Sequence, residues 1–401
     1  MTTTDAHDLP VFPGARAARC PFNPAAEYTH WREEPGLRRV SWNGHTVWAV
    51  SRYDDIKTAM AHSAISAEAL ALQSNGAHDG PSAPDIFPRM DDPEHARLRR
   101  MLTKDFTVKR VNAMRPQIEE MANDFIDKMI DKGQPADLVA DYALPIPSLV
   151  ISLLLGVPYA DHDFFQRVTG TLMNMSSTRE EKAQASREFF GYMMDLVARK
   201  EHEPGDDLIS RVVREHVQTG ELRRESAAMN GVILLNAGHE TTANMIALAT
   251  AALLQEPDKA AVLRDSEDPV VIANAVEELL RYLTIVHSLV ARVAKEDVEI
   301  GGQLVRAGEG LIMNLPAGNW DPGFTDEPET LDLGRSARGH LAFGYGVHQC
   351  LGQTLARAEL QIALPTLLRR LPGLQLATPI EDVRFRSDMS IYGVHELPIT
   401  W

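Results

Sequence analysis

Cysteine is nearly absent. The 401-residue chain has two, Cys20 and Cys350. Two thiols do not suggest a disulfide scaffold, and a reducing compartment is expected. An excess of positive charge is also missing. There are 40 Lys and Arg against 56 Asp and Glu, a net charge of −16, which speaks against nucleic acid as a partner. The opening Met1-Thr2-Thr3-Thr4-Asp5 lacks a basic stretch followed by an apolar run, so neither a leader nor a membrane anchor is expected and the cytoplasm is the expected location. No apolar run is uninterrupted. The most apolar long stretch, 232–254, contains His239, Glu240 and several threonines and asparagines, and reads as a buried helix rather than a membrane span. No Pro/Gly/Ser-rich linker, internal repeat or low-complexity tract divides the chain. Residues 1–401 therefore read as one domain with an irregular lead-in over about 1–18.

What is present is ordinary globular composition, 44% hydrophobic and 24% charged, with a mostly helical pattern. Asn43-Gly44 between two alternating apolar stretches predicts a hairpin over 39–50. A short helix is predicted over 54–62, and a loop over 66–89, which is rich in Ala, Gly, Pro and Ser. Asp92-Pro93 reads as a helix start. Ile118, Met121, Phe125 and Met129 mark one face of a helix after Pro116. Further helices are predicted over 161–175, 179–202, 206–217, 225–255, 269–283 and 351–371. Short strands are predicted over 289–294, 298–300 and 311–314, and again within 374–401. The fold class is mainly α with small β-sheets at the two ends (α+β).

The most informative stretch is Phe343-Gly344-Tyr345-Gly346-Val347-His348-Gln349-Cys350-Leu351-Gly352. Glycines let the backbone approach closely where a side chain would clash. Cys350 lies where a helix begins, so unpaired N–H groups and the positive end of the helix dipole favour a thiolate. A thiolate held in this way suits axial ligation of haem iron. A lone cysteine is more often a small buried hydrophobe; the ten-residue pattern argues otherwise. A second unusual stretch is Ala237-Gly238-His239-Glu240-Thr241-Thr242, inside the long predicted helix. An acid and a hydroxyl do not belong in a simple core helix. Gly238 weakens the helix, and a threonine hydroxyl can bond back to a carbonyl four residues earlier. A satisfied buried polar pair is the plain alternative.

Phe-Gly-x-Gly-x-His-x-Cys-x-Gly, continued by Leu355-Ala356-Arg357, resembles the haem-ligand loop of the cytochrome P-450 superfamily of haem-thiolate monooxygenases, in its soluble bacterial form. The resemblance covers about residues 20–401. Arg19-Cys20-Pro21-Phe22, Met90-Asp91-Asp92-Pro93-Glu94-His95 and Phe106-Thr107-Val108-Lys109-Arg110 look most like an actinomycete subfamily that hydroxylates macrolides, secosteroids, statins and xenobiotics. It implies a cytochrome P-450 fold with haem b (iron protoporphyrin IX) between the long central helix and the cysteine loop, and Cys350 as the axial ligand of the iron. Thr241 would hydrogen-bond the dioxygen or its water, and Glu240 would connect that site to bulk protons. Cofactor contacts would come from Ala237, Gly238, Phe343, Gly344 and Gly352. His95, Arg99, Arg292 and His348 would pair with the haem propionates. Glu278, Arg281 and Arg335 match the family's structural Glu-Arg-Arg triad. The loop over 66–89 would cover the substrate, with pocket contacts from Met173, Met193, Leu234, Ile285, Leu289, Ile391 and Tyr392; methionines at helical spacing are more often simply core.

The implied reaction inserts one oxygen atom of O2 into a C–H bond of a bulky hydrophobic small molecule. Electrons would come from NAD(P)H through a reductase and a ferredoxin, and a monomer is expected. Six Lys or Arg within 96–110 offer an acidic ferredoxin a docking face, although such a run is usually a solvated helix face. Oxidative ring coupling, peroxygenase or nitric oxide reductase chemistry on the same fold, or a non-enzymatic haem gas sensor or carrier, are the competing readings. The intact Glu240-Thr241 pair argues against the peroxide- and NO-using forms. Two departures stand out. Gly318-Asn319-Trp320-Asp321-Pro322 has tryptophan where the family often has arginine, which puts surface contacts there in doubt. Pro365 falls inside the helix after the cysteine and is expected to kink it.

Overall fold

The computed structural model describes residues 9–16, 20–69 and 84–401. In chain order its elements are α1 (Glu27–Glu33), β1 (Arg38–Trp42), β2 (His45–Val50), α2 (Tyr53–Ala61), β3 (Ile65–Ser66), α3 (Glu94–Thr103), α4 (Val108–Lys132), β4 (Ala136–Asp137) and α5 (Pro145–Leu155). They continue with α6 (His162–Met173), α7 (Arg179–His202), α8 (Leu208–Val212), α9 (Arg224–Leu254), α10 (Pro257–Asp265), α11 (Pro269–Leu283), β5 (Ala291–Ala294), β6 (Val298–Ile300), β7 (Gln303–Val305) and β8 (Gly310–Met313). Last come α12 (Leu315–Asn319), α13 (Gln353–Arg370), β9 (Gln375–Leu376) and β10 (Pro398–Thr400). They gather into two compact units. One takes the described residues up to 69 together with 88–95 and 277–350; the other takes 84–87, 96–276 and 351–401.

The first unit is built on a five-stranded sheet in the order β1-β2-β8-β5-β3. Asn43 and Gly44 both have positive φ, 50° and 81°, which suits the two-residue hairpin between β1 and β2. β2 then pairs in parallel with β8, with Trp48 opposite Leu311. Alternation along β8 feeds two cores. Leu311 and Met313 join Val50, Ile56 and Leu341 on one side, and Ile312 joins Trp31, Val40, Trp42 and Val47 on the other. Glu278 and Arg281, one turn apart on α11, are both 0% exposed. Arg281 donates from Nε to Glu278 Oε2 at 2.7 Å and from Nη2 to Oε1 at 2.8 Å. Its Nη1 reaches the carbonyls of Asn319 and Pro328. Arg335 adds a second cation, Nε to Glu278 Oε1 at 3.3 Å. The expected surface departure at Trp320 is instead a core contact. Its ring is 7% exposed, lies 5.1 Å from that of Tyr282, and its Nε1 donates to the Tyr282 carbonyl.

The second unit is helical, with the small sheet β4-β10-β9. α9 is its axis, and most of its second half is buried. α5, α7 and α13 pack against it. Local signals set several ends. Thr178 and Glu181 form a reciprocal capping box that starts α7. Gly156, at φ 74°, ends α5. Two expectations need correcting. α4 does not start after Pro116: it begins at Val108, capped by Thr107, and runs through that proline. Thr107 supplies a side-chain cap that the apolar periodicity does not report. The single helix expected over 206–217 is the short α8 followed by a π-helical turn over 213–217. A further helix, α10, is absent from the pattern reading and begins at Pro257, where a missing N–H costs nothing. No helix among the described residues is long and apolar enough to cross a membrane.

Candidate active site

In the first unit, the loop before Cys350 is closed on itself. The Cys350 amide donates to the Phe343 carbonyl at 2.9 Å, so eight residues fold back to present the thiol at their end. Gly344 and Gly346 hold φ of 71° and 73°, a region that costs an L side chain about 1–2 kcal/mol. A Cβ on Gly346 would also stand 3.1 Å from the Met60 carbonyl. Both glycines are thus required by the turn. Cys350 itself is exposed.

One histidine of the same unit packs on that loop, and the unit buries a further cation. The rings of His95 and His348 lie 4.0 Å apart, and His95 Nδ1 is 3.0 Å from Asp92 Oδ1. His95 is 1% exposed. Arg292, on β5, is buried. Its Nη1 donates only to the carbonyl of neighbouring Ala291, and among the described residues it makes no ion pair with a carboxylate. Burial pushes its pKa down to about 10, with distant Asp91 opposing. A guanidinium buried without a carboxylate is costly unless an anion arrives. Arg99 lies one turn beyond His95 on α3 and is half-buried.

In the second unit, the middle of α9 carries the acid and hydroxyl. Ala237 is exposed and Gly238 and Thr241 half-buried, while His239, Glu240 and Thr242 are buried, so one narrow strip of an otherwise covered helix is bare. A Cβ on Gly238 would meet Ile151 of α5 at 2.9 Å; this glycine lets two helices approach. Thr241 Oγ1 donates to the Ala237 carbonyl at 2.5 Å, the back-bond its spacing allows. Glu240 has partners that no local pattern announced. Arg386 Nη2 stands 3.0 Å from its Oε2, Asn244 Nδ2 is 3.3 Å from the same oxygen, and Thr169 Oγ1 is 3.5 Å from Oε1. Asn244 was within reach of sequence reasoning, as the i+4 neighbour of Glu240. Arg386 was not, since it sits in an irregular stretch 146 positions away from the acid it meets. Burial pushes the His239 imidazole toward its neutral form, with Glu240 opposing.

The remaining candidates separate by exposure. Met193 is 0% exposed with its sulfur against Gly231, and Ile391 and Tyr392 are 1% exposed, the latter stacked on Phe385. These three are core residues in this structure, because a pocket wall must have free surface to offer. Leu289 is 41% exposed, Met173 half-buried, and Leu234 and Ile285 each retain 7%. Most of the loop expected to cover a substrate, 70–83, lies outside the described residues. The basic run of 96–110 is largely paired. Lys104 meets Glu215 at 2.9 Å, Arg110 meets Asp206 at 3.5 Å, and Arg97 donates to the Glu221 carbonyl. Its one acid, Asp105, is buried against Arg211.

The donor set fits a haem. In the first unit these are one presented thiol, a buried cation that makes no ion pair with a carboxylate among the described residues, and two histidine rings in tilted contact; in the second, by itself, α9 has a bare strip at Ala237. The comparisons agree. Residues 23–372 match the family model described as Cytochrome P450. The chain is 49% identical to Cytochrome P450-SU2 of Streptomyces griseolus over the whole of both chains. It is 41% identical to the Vitamin D3 dihydroxylase of the same organism, covering 100% of this chain and 99% of that one. Among solved structures it resembles the mycinamicin VIII C21 methyl hydroxylase MycCI from Micromonospora griseorubida bound to mycinamicin VIII. That match has a TM-score of 0.91 at 36% identity, and covers 98% of this chain and 100% of that one.

Proposed function

The chain belongs to the cytochrome P450 family and is a monooxygenase, and from that premise we propose that it hydroxylates a bulky hydrophobic small molecule. Electrons come from NAD(P)H through a ferredoxin reductase and a ferredoxin. The family match runs through segments of both units, which supports reading them as one catalytic domain; the proposal takes that domain to act as a monomer in the cytoplasm. The substrate class is supported by relatives named for vitamin D3 and mycinamicin VIII.

The observation that carries this reading is the loop that presents the Cys350 thiol. Bound haem b supplies the activation of O2 and the insertion of one oxygen atom into a C–H bond. Cys350, as thiolate, would hold the iron and lend it electron density. Arg292, Arg99, His95 and His348 would hold its two propionates, which would give the buried Arg292 a counter-charge. The carbonyl of Phe343 keeps the loop closed by holding the Cys350 amide. Ala237, the exposed small residue of α9, would leave room for a flat macrocycle, whereas Gly238 faces Ile151 of α5 and is not a cofactor contact. Thr241, released from the Ala237 carbonyl, donates a hydrogen bond at the oxygen side, and Glu240 passes protons toward it. Met173, Leu234, Ile285 and Leu289 offer apolar surface to the substrate.

The deciding experiment replaces the sulfur. Cys350→Ser is expected to abolish the red-shifted Soret band of the ferrous–CO complex while leaving a folded protein. A variant that keeps that band removes Cys350 as the ligand and the proposal with it.

A further inference from the structure

The carboxylate of Glu240 is tied down in this structure. Oε2 faces Arg386 at 3.0 Å and Asn244 at 3.3 Å, and Oε1 faces the Thr169 hydroxyl at 3.5 Å. The Arg386 side chain is 11% exposed and that of Glu240 is 7% exposed, so the pair is shielded from the solvent that weakens surface ion pairs. Arg386 also donates from Nη1 to Asn244 Oδ1 at 3.1 Å, which closes a triangle of Glu240, Asn244 and Arg386. The hydroxyl of Thr241, the next residue, is directed at the Ala237 carbonyl and not at this carboxylate.

Arg386 belongs to a small hairpin over 384–395. The Arg386 amide bonds the Gly393 carbonyl at 2.9 Å, the His395 amide bonds the Arg384 carbonyl at 2.9 Å, and Phe385 bridges Val394. The hairpin lies so close to α9 that a Cβ on Gly393 would collide with the Asn244 side chain. Its tip is bonded to the α6–α7 junction. The Met175 amide donates to the Asp388 carbonyl at 2.8 Å, and the Ser390 amide donates to the Met173 carbonyl at 3.1 Å. The hairpin that supplies Arg386 is therefore fastened to the end of the helix that supplies Thr169. Both contacts of Glu240 from outside α9 come from one backbone-bonded assembly.

We propose that Arg386 is a positioning residue for Glu240, and that the 384–395 hairpin and the C-terminal end of α6 move as one body that decides when this carboxylate is free to face Thr241. Met173 lies at the junction of that body and is half-buried. Ligand-dependent displacement there reaches Glu240 through the hairpin without any contact between ligand and acid. The inference rests on the reading that Glu240 passes protons, and adds to it the element that controls the acid.

The test compares Arg386→Gln, Arg386→Lys, Glu240→Gln and the double variant Arg386→Gln/Glu240→Gln in the haem-loaded full chain. Hydrogen exchange is read first, independently of turnover. Arg386→Gln and Glu240→Gln should each speed exchange in both 384–395 and 165–175. The double variant should be no faster than either single one, because both remove the same tie. Peroxide released per NADPH is read second. Arg386→Gln should raise it several-fold, with a larger solvent isotope effect on product formation and a substrate spin-shift titration within about twofold of wild type. Arg386→Lys, which keeps the charge, should return most of the coupling. Additive exchange effects, or an Arg386→Gln protein with wild-type coupling, overturns the proposal. If Glu240→Gln leaves product coupling at the wild-type level, the proton-passing reading of Glu240 fails instead, whatever the exchange shows.

Discussion

At the scale of single residues, two buried charges make opposite demands. Arg281 and Glu278 are wholly enclosed and satisfy each other through two parallel bonds, with backbone carbonyls taking the remaining guanidinium protons. Removing one partner strands the other without water. Arg281→Ala is expected to cost about 3–5 kcal/mol, read as loss of soluble haem-loaded protein on expression. Glu359, on α13, is 2% exposed, and its Oε2 has no hydrogen-bond partner among the described residues. Burial pushes its carboxyl well above the ordinary 4.5. The sign follows from linkage. A folded-state pKa above the unfolded one gives stability that is complete below about 4.5 and is lost as pH rises toward the folded value. Glu359→Gln should therefore leave the apparent Tm unchanged near pH 4.5 and raise it progressively above that. A variant whose Tm difference from wild type is the same at pH 5 and pH 8 rules this out. The sequence pattern placed Glu278, Arg281 and Arg335 as a triad by resemblance, but nothing in it marked Glu359. A buried acid without a partner is defined by its neighbours in space and has no sequence signature.

At the scale of elements, legibility followed how local the determinants are. The hairpin at Asn43-Gly44 and the start of α7 at Thr178 are set by residues within four positions of the feature, and the structure has them where the pattern put them. The start of α4 is not legible because the apolar stripe at Ile118 begins about three turns after the Thr107 cap. α9 shows both cases. Its length was evident from composition, whereas the reason for Gly238 was not. That glycine reads locally as a weak point, yet its effect is to admit Ile151 of α5. Gly238→Ala should cost about 1–3 kcal/mol by overpacking, seen as a lower apparent Tm of the haem-loaded protein. Pairing it with Ile151→Ala should return part of the loss, and no recovery would separate Gly238 from the α5–α9 contact.

At the scale of the whole molecule, net charge and patch charge act differently. The chain is acidic overall, and pairing removes much of the one basic run it has. Arg100 and Lys109 remain exposed and make no ion pair among the described residues. If this face receives an acidic electron donor, Arg100→Glu and Lys109→Glu should slow bimolecular reduction severalfold at low salt, and the difference should fade above roughly 0.5 M salt as the Debye length shrinks. Lys104→Ala should have a smaller effect, because Lys104 is already committed to Glu215. Equal effects of Lys104 and Arg100 in stopped-flow reduction would discard the distinction that pairing makes.

The sequence by itself determined the family, the glycine-punctuated cysteine loop, the acid and hydroxyl on α9 and the Glu278-Arg281-Arg335 triad, because each is a short pattern whose spacing carries its own chemistry. Only the tertiary structure decided which partners those groups keep. Arg386 reaches Glu240 from a hairpin near the C-terminus, Arg292 is buried with no carboxylate paired to it among the described residues, and Met193, Ile391 and Tyr392 are enclosed in the core. The physical reason is range. Caps, turns and ligand loops are closed by residues a few positions apart, whereas burial and ion pairing join side chains that only packing brings within a few ångströms of each other.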